Sequence, residues 1–122
     1  MTRTIIKNIG HLVTMDAMHR ELSGVDMAID NGVISEIGEG LSGQAFDASG
    51  CVVTPGLVNT HHHLYQTLTR AVPGGQDALL FGWLQTLYPI WEQMGPNEFY
   101  NSAQVGLAEL ALSGCTTSSD HQ

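Results

Sequence analysis

The sequence has few cysteines and few basic residues, and both shortages exclude classes of protein. Cys51 and Cys115 are far apart and form no CxxC or CxxH pair, so neither a disulfide framework nor a zinc finger is expected. Four Lys and Arg residues stand against twelve Asp and Glu residues, for a formal net charge of -8. This charge repels phosphate backbones and anionic membrane surfaces, so we expect neither nucleic acid nor a membrane as a partner.

Long apolar runs and targeting signals are also missing. No run approaches the roughly 20 apolar residues that a membrane helix needs, and the N-terminal MTRTIIKNIG lacks the basic-then-apolar order of a secretory signal. The sequence contains no internal repeat and no low-complexity tract. The 122 residues, 43% of them hydrophobic, predict a globular chain with a core and, by default, a cytoplasmic location.

The first part of the chain has the pattern of a β-rich domain. The β-prone runs TIIKNIGHLVTMD, GVDMAID and NGVISEIGEG are separated by turn residues. Asn31-Gly32 supplies the positive φ angles that a two-residue hairpin turn requires, and this predicts a hairpin between the last two runs. An apolar run, CVVTPGLVN, follows without polar alternation and predicts a strand that is buried on both faces.

Helical periodicity replaces the strand pattern in the second half of the chain. LLFGWLQTLYPIWEQM carries apolar residues at three- and four-residue steps, although Pro89 is expected to kink or interrupt this helix. A second helix is predicted from Pro96 to Ser113, with Gly114 at the C′ position. The apolar face of this helix is predicted to consist of Phe99, Ala103, Gly106, Leu107 and Leu110. CTTSSD then predicts another strand, so the order strand, helix, strand describes one βαβ unit.

Three of the six histidines form the triplet at residues 61–63, at the carboxyl end of the predicted buried strand. Side chains alternate along extended backbone, so His61 and His63 point to one side and His62 to the other. Two imidazoles on one side suit a divalent metal, and α/β folds place catalytic groups at the carboxyl ends of strands. A solvated His-rich turn explains the triplet alone equally well, and two ligands do not complete a site.

The segment TPGLVNTHHHLYQ resembles the start of the amidohydrolase superfamily, in which an apolar strand and Pro-Gly precede His-x-His at the end of barrel strand one. His61 and His63 match the two histidines, and His62 occupies the x position. NTHHHLYQTLTRAVP and LFGWLQTLYPIW are similar to the metal-dependent aminohydrolases that act on purines and triazines. The resemblance implies an α/β chain: residues 1–50 form N-terminal strands of a small β-sandwich domain. Residues 51–122 form the first strand, helical crossover and second strand of an incomplete (β/α)8 TIM barrel.

The resemblance also implies an activity. It is the hydrolysis of carbon–nitrogen bonds other than peptide bonds, as in deamination of a purine-like heterocycle such as 8-oxoguanine by metal-activated water. One divalent metal is implied, zinc by preference and iron as an alternative, with His61 and His63 as ligands. In the family the other ligands and the proton-transfer carboxylate come from later barrel strands. No catalytic residue is therefore assigned here, and residues 1–122 alone are expected to be inactive.

Two other functions stay open, and the resemblance suggests one further property. The chain could belong to a triazine chlorohydrolase or aminohydrolase, or it could be a non-catalytic metal-binding module. Further His and Asp residues at the ends of later strands would favour the hydrolase, whereas cooperative folding with metal binding by the 122 residues alone would favour the module. Family resemblance also implies a homo-oligomer that acts on a small heterocyclic molecule.

Three residues are candidates for binding that molecule. Gln66 stands in the HxHxxQ position that contacts the ring in related deaminases, and its carboxamide offers both a donor and an acceptor. Trp83 can stack on a planar ring, although helical spacing more often places such a residue in the core. His121 follows the second strand at the catalytic face, where a plain exposed histidine is the alternative. Arg70 is expected to pair with an anionic group or with a carboxylate.

Overall fold

The computed structural model describes residues 3–121, and the chain divides into two compact units, Met1–Pro55 and Gly56–Gln122. The first unit extends to Pro55 because Val52–Val53 pairs with one of its strands. No helix in the described range is long and apolar enough to span a bilayer.

The first unit is built from two sheets. Its described strands are β1 (Arg3–Ile9), β2 (His11–Val13), β3 (Glu21–Leu22), β4 (Val25–Asp30), β5 (Val33–Gly38), β6 (Gln44–Asp47) and β7 (Val52–Val53). The larger sheet has the order β5-β4-β1-β6 and the smaller has the order β3-β2-β7. Ile9, Leu12, Met27 and Ala48 form a buried cluster to which both sheets contribute, so the two sheets share one apolar core.

The predicted hairpin at Asn31-Gly32 is confirmed. β4 pairs antiparallel with β5, and Asp30 lies opposite Val33, so Asn31 and Gly32 are the two residues of the turn. Their φ angles are 52° and 80°. A type I′ turn requires positive φ at both positions, and asparagine and glycine adopt these angles with the least steric cost.

The prediction of one buried strand through CVVTPGLVN is wrong. The run contains two short strands, β7 and β8 (Leu57–Asn59), which belong to different sheets. Pro55, between them, has no N–H group for a sheet ladder, which explains the break. Leu57 and Val58 are 58% and 64% exposed, because β8 has a single hydrogen-bonded neighbour among the strands that the structure describes.

The second unit contains the predicted βαβ arrangement. After β8 come a 3-10 helix (Leu64–Thr69), a shorter 3-10 turn (Pro73–Gly75), α1 (Leu80–Trp91), α2 (Pro96–Leu112) and β9 (Cys115–Ser118). β8 and β9 run parallel, with Leu57 opposite Cys115 and Asn59 opposite Ser118. The carboxyl ends of these two strands therefore lie side by side, as the sequence predicted.

Both predicted helices are present, and α1 is longer than its proline suggested. α1 continues through Pro89 and ends at Trp91. The helix ends only two residues later, so the missing N–H of Pro89 removes one hydrogen bond without ending the helix there. α2 begins with Pro96 at its first position, and the Glu98 carboxylate accepts the N–H of Gly95 at 2.9 Å. This contact satisfies one of the free N–H groups at the start of the helix.

The packed face of α2 agrees with the predicted one at Gly106 and differs from it at Leu107. Its buried residues are Ser102 and Gly106, whereas Leu107 is 52% exposed. The first 3-10 helix packs on this face, and the Ser102 hydroxyl donates to the Leu64 carbonyl oxygen at 2.7 Å. Small side chains allow this close approach, so apolarity was a poor guide to which residues of α2 are covered.

Gly56 should not tolerate a side chain. A Cβ atom there would lie 2.8 Å from Thr116 Cβ and still closer to the other Thr116 side-chain atoms. Gly56→Ala must therefore displace β8 or β9, and we expect the free energy of unfolding to fall by roughly 1–3 kcal/mol, the usual cost of overpacking. Urea denaturation measures this loss. Gly38→Ala is the matched control, because a Cβ atom at Gly38 meets nothing within 4 Å; equal losses would contradict the expected clash.

Candidate metal centre

The histidine triplet lies directly after β8, where the backbone leaves the sheet. Asn59, the last residue of β8, accepts the His61 N–H on its Oδ1 atom at 3.0 Å. At the other end, the Gln66 N–H donates to the His63 carbonyl oxygen at 3.0 Å. His63 has a φ angle of −133°, which is that of extended backbone. The triplet is thus a short extended link that is fixed at both ends.

The ring nitrogens of His61 and His63 converge. Their Nε2 atoms are 3.2 Å apart, and the two rings meet edge to face with centroids 5.2 Å apart. Two nitrogens that bind one tetrahedral zinc ion, each at about 2.0–2.1 Å, lie roughly 3.3 Å from each other. The observed spacing therefore suits two ligands of one ion, and it joins the first and third histidines of the triplet.

A backbone carbonyl group orients the His63 ring. His63 Nδ1 is 2.8 Å from the His121 carbonyl oxygen, and because a carbonyl oxygen only accepts, Nδ1 must carry the proton. In a neutral imidazole this leaves the lone pair on Nε2, the atom that faces His61. The donor set fits zinc or iron. Within residues 3–121, no group of three His, Cys, Asp or Glu side chains is arranged to hold one ion.

The segment that follows β9 runs beside the triplet and supports it. The Ser119 N–H donates to the Asn59 carbonyl oxygen at 3.1 Å, and the His121 N–H donates to the His62 carbonyl oxygen at 3.1 Å. The Ser119 hydroxyl adds a bond to the Thr60 carbonyl oxygen at 2.9 Å. These contacts extend the pairing of β8 and β9 beyond the strands themselves, and they bring His121 to the metal ligands.

Asp120 fixes the start of the first 3-10 helix. Its carboxylate accepts the Leu64 N–H at 2.9 Å across a separation of 56 residues. The residue before the helix, His63, makes no side-chain cap, so Asp120 supplies the acceptor that a local cap residue would otherwise provide. The sequence does not predict this bond, because no local pattern signals a contact at this distance along the chain.

The side chain of His62 lies against α2. Its Cε1 atom is 3.7 Å from the position that a Cβ atom would take at Gly106. Its Nδ1 atom is buried and has no hydrogen-bond partner among the described residues. The His62 ring thus packs on α2 and is separate from the converging Nε2 atoms of His61 and His63, as side-chain alternation predicts.

An open cavity of about 260 Å³ adjoins the histidine pair. It is lined by His61, His62, His63, Gln66, Thr67, Arg70 and Glu109. Its volume is just below the roughly 300–1,000 Å³ of typical small-molecule sites. The structure therefore brings Gln66, one of the predicted substrate ligands, to the same cavity as the predicted metal ligands His61 and His63.

An ion pair forms one wall of this cavity. Arg70 Nη1 and Nη2 donate to Glu109 Oε2 and Oε1 at 2.5 and 2.6 Å. Hydrogen bonding to Arg70 is the largest cause that lowers the pKa of the Glu109 carboxyl below its ordinary value of 4.5, against an opposing effect of desolvation. The same bonds raise the pKa of Arg70. Of the two partners considered for Arg70, the structure shows a carboxylate.

The other two predicted substrate ligands differ in their position. The His121 ring centroid is 6.0 Å from that of His63 and 6.4 Å from that of His61, so His121 adjoins the site. Trp83 is not among the cavity-lining residues of the described chain. It packs edge to face on the buried Trp91, with centroids 5.3 Å apart. Trp83 therefore belongs to this aromatic cluster, as its helical spacing indicated, and its role as a substrate ligand stays a prediction.

A family model described as the amidohydrolase family matches residues 52–122. This range is more than half of the chain, and it contains the converging histidines, both helices and both parallel strands. The chain belongs to the amidohydrolase family. The match confirms the resemblance that the sequence motif predicted, and it covers the part of the amidohydrolase chain that forms the cavity.

Individual relatives of this amidohydrolase act on heterocyclic compounds according to their names. 8-Oxoguanine deaminase from Pseudomonas aeruginosa is 44% identical over 99% of this chain and 28% of its own length. Hydroxydechloroatrazine ethylaminohydrolase from Pseudomonas sp. strain ADP is 34% identical over 100% of this chain and 28% of its own. The zinc complex of atrazine chlorohydrolase from Arthrobacter aurescens TC1 is 31% identical, with a TM-score of 0.89 over 96% of this chain and 28% of that one. The chain thus spans about 28% of the length of these relatives.

The ion pair should make the cavity wall sensitive to acid. The pKa of Glu109 is lowered in the folded state, so the pair stabilises fully above the ordinary pKa of 4.5 and loses its effect as the pH falls through the folded-state value. We expect Glu109→Gln to lower the melting temperature slightly near neutral pH and not at all in strong acid, as followed by thermal melts.

The matched control is Glu92→Gln, because Glu92 takes part in no ion pair within the described part of the chain. It should leave the melting temperature unchanged at every pH. A difference between Glu109→Gln and the parent protein that stays constant down to low pH would contradict a stabilising carboxylate.

Proposed function

We propose that the chain forms part of a metal-dependent hydrolase that deaminates a purine-like heterocycle such as 8-oxoguanine, at a carbon–nitrogen bond that is not a peptide bond. The observation that carries this proposal is the convergence of His61 Nε2 and His63 Nε2 at 3.2 Å, beside a cavity. The substrate class is supported by the 44% identity to 8-oxoguanine deaminase from Pseudomonas aeruginosa.

In the proposed reaction His61 and His63 hold one divalent metal, and zinc is supported by the zinc complex of the related atrazine chlorohydrolase. When bound, such an ion lowers the pKa of a coordinated water to about 7, so hydroxide is present near neutral pH. The His121 carbonyl oxygen keeps His63 in the tautomer whose Nε2 lone pair is free, on the side of His61, and this nitrogen would hold the ion. Gln66 contacts the ring edge from the cavity wall. Overall, water adds its oxygen to the ring carbon, the C–N bond breaks and ammonia leaves.

The proton-transfer carboxylate of this reaction has to come from outside the described cavity. Glu109 is the one carboxylate that lines the cavity within residues 3–121, and its bonds to Arg70 lower its pKa. A carboxylate held ionised in this way is a poor proton carrier near neutral pH. We propose that this group and the further metal ligands belong to other parts of the full-length enzyme, of which this chain corresponds to about 28% by the length of its relatives.

The architecture of the full-length enzyme is part of the same proposal. Residues 1–50 would form N-terminal strands of a β-sandwich domain, and residues 51–122 the first strand, helical crossover and second strand of a (β/α)8 barrel. The TM-score of 0.89 to atrazine chlorohydrolase supports this assignment. The exposed Leu57 and Val58 of β8 would then be covered by the barrel. A homo-oligomer and a cytoplasmic location stay predictions.

A triazine substrate is the second candidate. It is favoured by a TM-score of 0.90 and 30% identity to a triazine hydrolase variant over 98% of this chain. Product analysis separates the two candidates: we expect the full-length enzyme to release ammonia from 8-oxoguanine and no chloride from a chlorinated triazine. Chloride release alone would favour the triazine function. Metal binding without turnover of either compound would favour the non-catalytic module.

Replacement of single histidines tests the metal site in the full-length enzyme. Loss of an outer-shell partner already lowers metal affinity by about 10–100-fold, so His61→Ala and His63→Ala should lower zinc affinity by more and abolish ammonia release. His62→Ala should retain zinc, because His62 packs on α2. Metal analysis after dialysis and a chelator competition measure both effects. Equal loss of zinc in all three variants would contradict the assignment of His61 and His63.

A further inference from the structure

Ser102 of α2 is a polar side chain with 0% exposure, and its hydroxyl bonds twice to the first 3-10 helix. It donates to the Leu64 carbonyl oxygen at 2.7 Å and accepts the Leu68 N–H at 3.3 Å. A buried hydroxyl costs free energy unless it is hydrogen-bonded, and here both its donor and an acceptor lone pair are used. Ser102 therefore attaches the 3-10 helix to α2.

Gly106, one turn later on α2, leaves the space that this attachment needs. A Cβ atom at Gly106 would lie 2.8 Å from Leu64 Cδ2 and 2.8 Å from Thr67 Oγ1. Leu64 is buried, and Thr67 Oγ1 donates at 2.8 Å to the Leu64 carbonyl oxygen, the same oxygen that accepts the bond from Ser102. Leu64 is thus held closely against α2, at a distance that the small residues of this helix face permit.

The two converging histidines are attached to different elements of the fold. His61 is held by β8, because its N–H donates to Asn59 Oδ1 at 3.0 Å. His63 directly precedes Leu64, the first residue of the 3-10 helix, so the backbone of His63 follows that helix. The 3.2 Å separation of the two Nε2 atoms therefore depends on where the 3-10 helix lies relative to β8, and its attachment to α2 helps to fix that position.

We propose that Ser102 is a positioning residue of the metal centre, which acts through Leu64 to keep His63 Nε2 at the distance from His61 Nε2 that suits two ligands of one ion. The inference rests on the proposed function, in which the two histidines hold a divalent metal. Ser102 is not among the cavity-lining residues of the described chain. Its effect on the ion is therefore confined to the placement of one ligand.

The test replaces Ser102 in the full-length enzyme. Ser102→Ala removes the hydroxyl and keeps the Cβ atom, so the Leu64 carbonyl oxygen and the Leu68 N–H each lose a partner without added bulk. We expect zinc affinity to fall by about tenfold, the lower end of the range for groups that act on a metal ligand from outside. A chelator competition measures this affinity. The visible absorption spectrum of the cobalt-substituted enzyme reports the ligand geometry and should change as well.

Thr69→Val is the matched control. Thr69 is also buried, and its hydroxyl also makes two bonds: it donates to the Gln66 carbonyl oxygen at 3.0 Å and accepts the Trp91 indole N–H at 2.9 Å. This hydroxyl belongs to the last residue of the same 3-10 helix, at the end that is remote from His63. Its loss should lower the melting temperature, as the loss of the Ser102 hydroxyl should, but leave zinc affinity and the cobalt spectrum unchanged.

Comparison with the parent enzyme separates the two proposals. Unchanged zinc affinity in Ser102→Ala, or an equal loss of affinity in Ser102→Ala and Thr69→Val, would overturn the role of Ser102 while the deaminase function stands. If His63→Ala binds zinc as tightly as the parent, the metal centre is assigned wrongly and both proposals fail. Weaker zinc binding by Ser102→Ala, in an enzyme that releases no ammonia from 8-oxoguanine, would support the positioning role and contradict the proposed substrate.

Discussion

The hydrogen bond from His63 Nδ1 to the His121 carbonyl oxygen is the interaction on which the site depends. It joins the ligand that follows β8 to the backbone that follows β9, across 58 residues of sequence, at 2.8 Å. A free histidine presents either ring nitrogen to a metal, whereas this bond leaves the Nε2 lone pair of His63 directed at His61. The parallel pairing of β8 with β9 brings the two partners together, so the tautomer of a ligand is set by sheet topology.

The contact of the first 3-10 helix with α2 is a second constraint on the position of the histidine pair. The Ser102 hydroxyl donates to the Leu64 carbonyl oxygen at 2.7 Å, and a Cβ atom at Gly106 would approach Leu64 Cδ2 to 2.8 Å. The 3-10 helix begins immediately after His63, so its contact with α2 helps to fix the position of His63. Small residues on α2 therefore allow the close contact that supports the segment after His63.

Local patterns predicted the parts of this structure that local physics determines. Asn31-Gly32 specified its turn, Pro96 specified the start of α2 at the residue where the structure begins it, and alternation paired His61 with His63. Pro55 also indicates a break between two strands, but the apolar run on both sides of it favours a single strand. Contacts between distant residues were beyond such patterns.

The bond of Asp120 to Leu64 N–H and the packing of Trp83 on Trp91 are examples of these contacts. An aspartate after a strand can bond to many different groups, and a tryptophan in an amphipathic helix can pack on many different side chains. Sequence periodicity does not distinguish these partners, because it describes only residues close together in sequence. The pairing of His61 with His63 was therefore predictable from the sequence, whereas the contacts that support this pair were not.

The charge around the histidine pair explains what this part of an amidohydrolase contributes. Two neutral imidazole ligands do not reduce the +2 charge of a divalent ion, and burying an uncompensated charge in a protein costs free energy. Two carboxylates of this unit bond to protein groups: Glu109, in the cavity wall, to the Arg70 guanidinium, and Asp120 to the Leu64 N–H. These bonds fix the cavity wall and the helix start. In the proposed enzyme, His61 and His63 would supply two neutral ligands, and compensation of the ion's charge would depend on anionic ligands from other parts of that enzyme.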